Sequence, residues 1–205
     1  MKKKKGNFLM MMGLLLLAAA LGLAGYNIYE SKRAQAASDN ILKELSEIIV
    51  LAETENVDDS EEIPNYVEIP EKEMPSVEID GERYIGILEI PDIGLRLPVM
   101  GGEWSYNKLN IAPCRYSGSV YENSMVIAAH NYSSHFGKIG SLGIGTQIRF
   151  TDIDGNVFEY TAGWAETLQS IDVEEMKGGE DWDLTLFTCT YSGRERYTLR
   201  CILNQ

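Results

Sequence analysis

The 205-residue chain carries 18 basic and 31 acidic residues, and its net charge of −13 excludes the basic surface that a nucleic-acid-binding protein needs. Hydrophobic residues make up 44% and charged residues 24%, which is typical of a globular protein and not of a disordered one. The chain has three cysteines, Cys114, Cys189 and Cys201, and two histidines, His130 and His135. Their spacing matches neither a disulfide framework nor a zinc site, so the sequence offers no ligand pattern for a cofactor or a metal ion.

Residues 1–30 are predicted to be a membrane anchor. Four lysines at positions 2–5 precede an uncharged apolar run over 8–25, and with the residues up to 29 this segment can cross a ~30 Å hydrocarbon core. Tyr26 and Tyr29 suit the far interface, where aromatic rings are favoured. The lysines favour a cytoplasmic N-terminus, which places the rest of the chain outside the cell as a single-pass membrane protein.

A cleaved signal peptide is the alternative interpretation of this N-terminus. Residues 34–36 have the A-x-A form of a cleavage site. They lie well past the apolar run, however, and Glu30, Lys32 and Arg33 intervene. We therefore favour a retained anchor, and both interpretations export the rest of the chain.

Two segments separate the anchor from the folded domain. Over 31–52, Ala34, Ile41, Leu45 and other apolar residues recur at threes and fours, which predicts a helix. We assign it as a helical stalk, with a helix packed on the domain as the alternative. Residues 53–80 hold eleven acidic residues against one lysine, together with three prolines, which predicts a solvated acidic linker. A lid over the domain is the alternative for the linker.

Residues 81–205 are predicted to form an all-β domain. Apolar alternation and short apolar runs predict strands over 84–90, 95–100, 125–129, 147–151, 157–163, 184–188 and 197–203. Short helices are expected at 103–110 and 136–142. Asp154-Gly155 marks a hairpin turn. About eight short strands favour a closed barrel, because closure removes the exposed sheet edges.

The candidate chemistry lies at the ends of two of these strands. Cys189 ends the strand over 184–188, and His130 ends the strand over 125–129. Strand ends at the mouth of a barrel provide rigid support and an open front. A thiol needs activation by a neighbouring imidazole or by a lowered pKa. Cys189 and His130 are therefore the candidates for a catalytic pair.

Strand register brings an arginine to the same place. If the last hairpin turns between Ser192 and Gly193, Cys189 lies directly opposite Arg196, on the same face and with Cβ atoms roughly 5 Å apart. Arg194 then falls in the loop, farther from the thiol. The opposite face is the more apolar and is predicted to enter the core; it carries Leu184, Leu186, Thr188, Tyr197, Leu199 and Cys201.

These residues resemble the sortase family. Leu184-Thr185-Leu186-Phe187-Thr188-Cys189, followed by Arg196-Tyr197-Thr198-Leu199, is similar to the T-L-x-T-C…R signature of sortases, and the run over 126–131 resembles the family's histidine strand. The resemblance spans about 84–203 and implies an eight-stranded closed sortase-type β-barrel behind a transmembrane helix and linker. By the same match Cys189 is the nucleophile, His130 the acid/base and Arg196 the oxyanion or substrate clamp.

The resemblance also implies a function. Sortases are membrane-anchored cysteine transpeptidases of Gram-positive bacteria, which cleave the C-terminal sorting signal of surface proteins and pass the acyl group to an amine of the cell wall or a pilin. The alternatives are a cysteine peptidase that passes the acyl group to water and a surface binding module without turnover. The acidic segment lacks the Asp-Pro-aromatic lid of pilin-polymerising members, which weakens a pilus role.

The subclass is left between a class B-like and a class D-like sortase. His130-Asn131-Tyr132 and Cys189-Thr190-Tyr191 lean towards class B, whereas the stretch over 164–183 is short for the long helical insertion of that class.

The remaining cysteines and the second histidine are expected to be structural. We predict that Cys114 and Cys201 are buried and inert and that His135 is a loop residue. A disulfide between Cys114 and Cys201 is the alternative, because the compartment outside the cytoplasm is oxidising.

Overall fold

A single long helix, α1 (Lys2–Asn56), begins the chain in the computed structural model, which describes residues 2–56, 72–177 and 181–204. Within that part of the chain, α1 is the one helix long and apolar enough to cross a membrane. Its apolar side chains between Phe8 and Tyr29 are exposed. An exposed apolar stretch of this length suits the hydrocarbon core of a membrane. Its orientation across a membrane remains a prediction.

The chain divides into two compact units, residues 1–33 and 34–205. In the second unit α1 buries one face, which carries Ala34, Ser38, Ile41, Leu45 and Ile49 at helical spacing. The isoleucines and the leucine join a hydrophobic cluster on the outside of the sheet. The boundaries assigned to the stalk (31–52) and the acidic linker (53–80) stay predictions, and residues 57–71 of the linker lie outside the described residues.

Nine strands follow in the described part of the second unit. They are β1 (Val77–Ile79), β2 (Glu82–Ile90), β3 (Leu95–Met100), β4 (Cys114–Ser117), β5 (Met125–Ala129), β6 (Gln147–Asp152), β7 (Val157–Gln169), β8 (Leu184–Cys189) and β9 (Glu195–Leu203). Short helices lie between them: α2 (Tyr106–Leu109) and the 3₁₀ turns Pro91–Ile93, Val120–Glu122 and Phe136–Ser141.

Eight of these strands, β2 to β9, close into a barrel within the described residues. The order is β2-β3-β4-β5-β8-β9-β7-β6, and β6 pairs with β2 to complete the circle. The β3–β4 and β5–β8 pairs are parallel and the others are antiparallel. Strand β1 adds to the rim by pairing with β2. The predicted eight-stranded all-β barrel with short helices is confirmed.

A glycine allows β2 to take part in the closure. A Cβ atom at Gly86 would lie 2.2 Å from the carbonyl oxygen of Thr151 on β6. The register of β2 with β3 also shifts between Tyr84 and Gly86. A side chain at position 86 would therefore separate the two strands that close the barrel.

The interior of the barrel is apolar, as the alternation along β8 and β9 predicts. Leu184 pairs with Cys201 and Leu186 pairs with Leu199, and all four side chains are buried in the main core cluster. This confirms the assumed register of the last hairpin and the face that enters the core.

The sequence analysis missed two strands and ended a third too early. Strand β1 lies within the segment assigned to the acidic linker, and its Ile79 is buried. Strand β4 (Cys114–Ser117) was missed because its alternation of apolar and polar residues extends over only four residues. Strand β7 continues to Gln169 beyond the predicted end at 163, because a register shift between Ala162 and Trp164 lets it pass Gly163 and resume pairing with β9.

Candidate active site

The parallel pair β5–β8 brings His130 and Cys189 together. Ala129 pairs with Thr188, so His130 and Cys189 are the next residues at the same end of two neighbouring strands. The buried hydroxyl of Thr188 donates a hydrogen bond of 2.8 Å to the carbonyl oxygen of Ala129. This bond ties the two strand ends together and fixes the backbones from which both functional side chains project.

The strand pair β8–β9 adds Arg196. Cys189 lies directly opposite Arg196, as the register predicted. The guanidinium is held by its own hairpin, since Nη1 donates to the carbonyl oxygens of Gly193 and Glu195 at 3.0 Å each. Arg196 lines the same cavity as Cys189, whereas Arg194 is exposed in the hairpin loop.

Cys189, His130 and Arg196 line one cavity of about 180 Å³. The rest of the lining is mainly apolar and contains an aromatic cluster, here called the aromatic wall: Trp104 contacts Tyr106 and Tyr116 at 5.5 and 5.3 Å between ring centroids, and Tyr116 contacts Phe187 at 5.4 Å. Aliphatic and small residues complete it, namely Leu109, Ala128, Ala129, Ser170, Val173 and Met176. Such a wall suits an extended peptide whose apolar side chains need burial beside the thiol.

The aromatic wall was not predicted from the sequence. Its residues come from α2 and the loop before it, from β4 and from β8, which are distant in the chain. The one local signal was the Trp104-x-Tyr106 spacing. A cavity of about 520 Å³ elsewhere on the barrel is larger, but its described lining is polar and contains neither cysteine nor histidine.

Burial sets the charge state of His130. Desolvation lowers the pKa of this imidazole below its ordinary value, which favours the neutral form. The ring of Tyr132 lies against it, with 4.8 Å between centroids. The amide of Phe136 donates to the carbonyl oxygen of His130 at 3.1 Å. A neutral, sterically held imidazole can accept a proton from a thiol.

The second histidine, His135, is not among the residues that line this cavity. His135 precedes the 3₁₀ turn Phe136–Ser141 and is fully buried. Burial, and then the nearby His130, lower the pKa of His135 to about 4. Its ring contacts Tyr132 at 5.8 Å between centroids, and its Nε2 atom lies 3.5 Å from Ser38 Oγ of α1. It is a loop residue, as predicted. Its ring packs against Tyr132, whose own ring contacts His130.

The three thiols differ in accessibility. All three cysteines are free, so Cys114 and Cys201 form no disulfide. Both are buried, as expected, and burial raises the pKa of Cys114 to about 12 and that of Cys201 further. Cys189 is partly exposed at the cavity. Among the described residues, no cluster of three or more His, Cys, Asp or Glu side chains is arranged to hold a metal ion.

Comparison with known proteins gives a consistent result. Residues 88–204 match the family model of the sortase domain. A sortase D5 transpeptidase of Clostridium perfringens is similar at 21% identity, with a TM-score of 0.59 over 83% of this chain and 99% of that one. Sortase C-3 of Streptococcus pneumoniae gives 17% identity, a TM-score of 0.56, and 85% and 90% coverage.

A third similar structure belongs to another class. A lid mutant of sortase A from Corynebacterium diphtheriae gives 19% identity, a TM-score of 0.53, and 82% and 96% coverage. These identities support the fold alone. No curated protein matches the chain.

Proposed function

The chain belongs to the sortase family, and on this basis we propose that it is a membrane-anchored transpeptidase that cleaves a C-terminal sorting signal through a thioester on Cys189. One observation carries the proposal. Cys189 and His130 leave matched ends of parallel strands and line one cavity with Arg196. A nucleophile, a base and a cation then surround the space where a carbonyl group would react.

The proposed reaction has two halves. His130 accepts the thiol proton of Cys189, and the thiolate attacks the carbonyl carbon of the scissile peptide bond. The carbon–nitrogen bond breaks, His130 returns the proton to the leaving amine, and a thioester remains. An incoming amine attacks the thioester, His130 takes up its proton, and the thiol is regenerated as a new amide forms. The substrates are surface proteins that carry a sorting signal, and the acceptor is an amine of the cell wall or of a pilin.

The subclass that these residues favour is class D-like. The described residues of the β7–β8 connection, 170–177 and 181–183, contain no helix. A class B-like enzyme would carry a long helical insertion there. Transfer assays with peptides of differing sorting signals would test this assignment, since a preference for a class B signal contradicts it.

Trapping and partition experiments test the transpeptidase proposal. A sorting-signal peptide incubated with the enzyme is expected to give a hydroxylamine-sensitive adduct on Cys189, detected by intact mass. Added oligoglycine or diaminopimelate amines are then expected to divert the acyl group from water into an amide. An adduct that only hydrolyses, whatever amine is supplied, indicates a peptidase. Peptide binding without any adduct indicates a binding module.

Arg196 is expected to stabilise the oxyanion of the tetrahedral intermediate or to clamp the substrate. Arg196→Ala should then lose about 3 kcal/mol of transition-state stabilisation, the scale of one oxyanion-hole donor. Arg196→Lys should rescue it poorly, because an ammonium does not reproduce a planar guanidinium fork. The measurement is single-turnover cleavage of the peptide.

Arg194→Ala provides the matched control for Arg196, because Arg194 is exposed in the same hairpin. It should cleave at close to the wild-type rate. An inactive Arg194→Ala beside an active Arg196→Ala would exchange the roles that we propose for the two arginines.

The proposed topology places the lysines at 2–5 in the cytoplasm and the barrel outside. Protease added to intact cells should cut the chain between α1 and β1, which denaturing electrophoresis separates into two fragments, and the cell-associated fragment should retain its N-terminus. N-terminal sequencing checks this. A secreted chain that begins at Ala37 would instead support cleavage after the A-x-A sequence at 34–36.

A further inference from the structure

Arg200 is a charged residue in an apolar setting that the proposed chemistry does not use. It lies on β9 opposite Thr185, on the face that also carries Arg196. Four residues separate the two arginines along the strand, which is about 14 Å at ~3.4 Å per residue. Only 1% of the Arg200 surface is exposed. A buried guanidinium is tolerated when its charge is paired and its donors are satisfied.

The guanidinium of Arg200 is satisfied mainly by the connection between β7 and β8. Nη1 lies 3.5 Å from the carbonyl oxygens of Met176 and Lys177, and Nη2 donates to that of Glu175. Nε donates to Glu166 Oε1 on β7 at 2.8 Å. Two further contacts are with β8 and its approach: Nη1 donates to Thr185 Oγ1 at 2.9 Å, and the Trp182 ring lies 4.3 Å away.

The carbonyl groups that Arg200 contacts belong to a tight turn. The amide of Met176 donates to the carbonyl oxygen of Val173, and the amide of Lys177 donates to that of Glu174. At the end of such a turn the last carbonyl groups have no partner within the turn, and a cation there satisfies them. The Arg200 guanidinium therefore caps the last carbonyl groups of this turn.

The same turn forms part of the wall of the active-site cavity. Val173 and Met176 line the cavity that contains Cys189, and Met176 lies between the two outer carbonyl groups held by Arg200. Arg200 itself is not among the lining residues. Its contact with the cavity is therefore indirect, through the backbone that carries these two side chains.

We infer that Arg200 is a positioning residue that fixes the Val173–Met176 wall and thereby sets which apolar group fits beside Cys189. Lysine is a poor substitute, because one ammonium cannot reach Glu166 and three successive carbonyl groups together. The inference rests on the proposed function for the identity of the natural ligand, but the wall and the thiol define a cavity whether or not a peptide is the substrate.

Alkylation of Cys189 tests the wall without a peptide. The probes are iodoacetamide and its N-phenethyl derivative, whose ring needs the cavity. In the wild-type protein the ring is expected to raise the alkylation rate about 10-fold, a typical gain for an apolar group in a fitted pocket. The quantity compared is the alkylation rate of the N-phenethyl derivative divided by that of iodoacetamide. In Arg200→Lys and Glu166→Gln this ratio should fall close to one, while the iodoacetamide rate itself stays at the wild-type value.

Glu159→Gln is the matched control. Glu159 also lies on β7 and also accepts from an arginine, Arg149, at 2.7 Å, but that pair is exposed and away from the cavity. Its ratio should equal that of the wild type. Because Glu166 is partly exposed, Glu166→Gln is expected to fold even if Arg200→Lys does not. A wild-type ratio in a folded Glu166→Gln variant would overturn the inference.

Peptide kinetics provide the second readout. With a sorting-signal peptide, Glu166→Gln should raise KM by about 10-fold with kcat nearly unchanged, because the wall binds the ground state and the transition state alike. A fall in kcat with KM unchanged would contradict a role in the wall. If no peptide forms an acyl-enzyme, the proposed function fails, whereas the alkylation ratio still decides the role of Arg200.

Discussion

Replacing Cys189 with alanine is expected to abolish the acyl-enzyme. The side chain provides the only partly exposed thiol, since Cys114 and Cys201 are buried and the pKa of each is raised by burial. Loss of the nucleophile in a catalytic set that acts as a unit costs on the order of 10⁶-fold in rate. The measurement is single-turnover cleavage of a sorting-signal peptide, with intact mass to detect the thioester.

Cys114→Ala is the control for this experiment. Its thiol lies in the cluster between α1 and the barrel, 1% exposed, and its removal should leave the thioester on Cys189 intact. Circular dichroism should show both variants folded, because Cys189 lies outside the core and Cys114→Ala removes a single sulfur atom from it. A thioester that still forms in Cys189→Ala would reject the nucleophile assignment and make Cys114 the next candidate.

The parts of the site that the sequence predicted share a physical basis. Strand pairing is periodic, so a single assumed turn placed Cys189 opposite Arg196, and the observed register agrees. Apolar runs also located the strands that end at Cys189 and His130. These signals are local or follow from strict alternation, which the sequence carries directly.

The parts that could not be predicted depend on contacts between distant segments. The aromatic wall combines α2 and the loop before it with β4 and β8, and no periodicity relates these segments. No local pattern singles out Arg200, because the carbonyl groups that make its burial tolerable lie 23–25 residues earlier in the chain. The buried face of α1 showed helical spacing, but the pattern could not distinguish the assigned stalk from a helix packed on the domain, because both have the same periodicity.

Replacing His130 with alanine is expected to have the second-largest effect. The imidazole lines the cavity with Cys189, and proton transfer by a positioned side chain is worth about 10²–10⁴-fold. His130→Ala should therefore lose cleavage by that factor and yet keep the fold, because the side chain is only partly buried at a strand end. Single-turnover cleavage, with circular dichroism as the folding check, measures both.

The pH dependence of the wild-type enzyme tests the same role independently. Burial lowers the pKa of His130 below 6.5. If the neutral imidazole takes the thiol proton, kcat/KM should rise with pH through a limb centred below 6.5, and His130→Ala should lack that limb. His135→Asn is the control: with a pKa of about 4, His135 is neutral across this range, and its loss should leave the limb in place. A limb that persists in His130→Ala but disappears in His135→Asn would transfer the base role to the buried histidine.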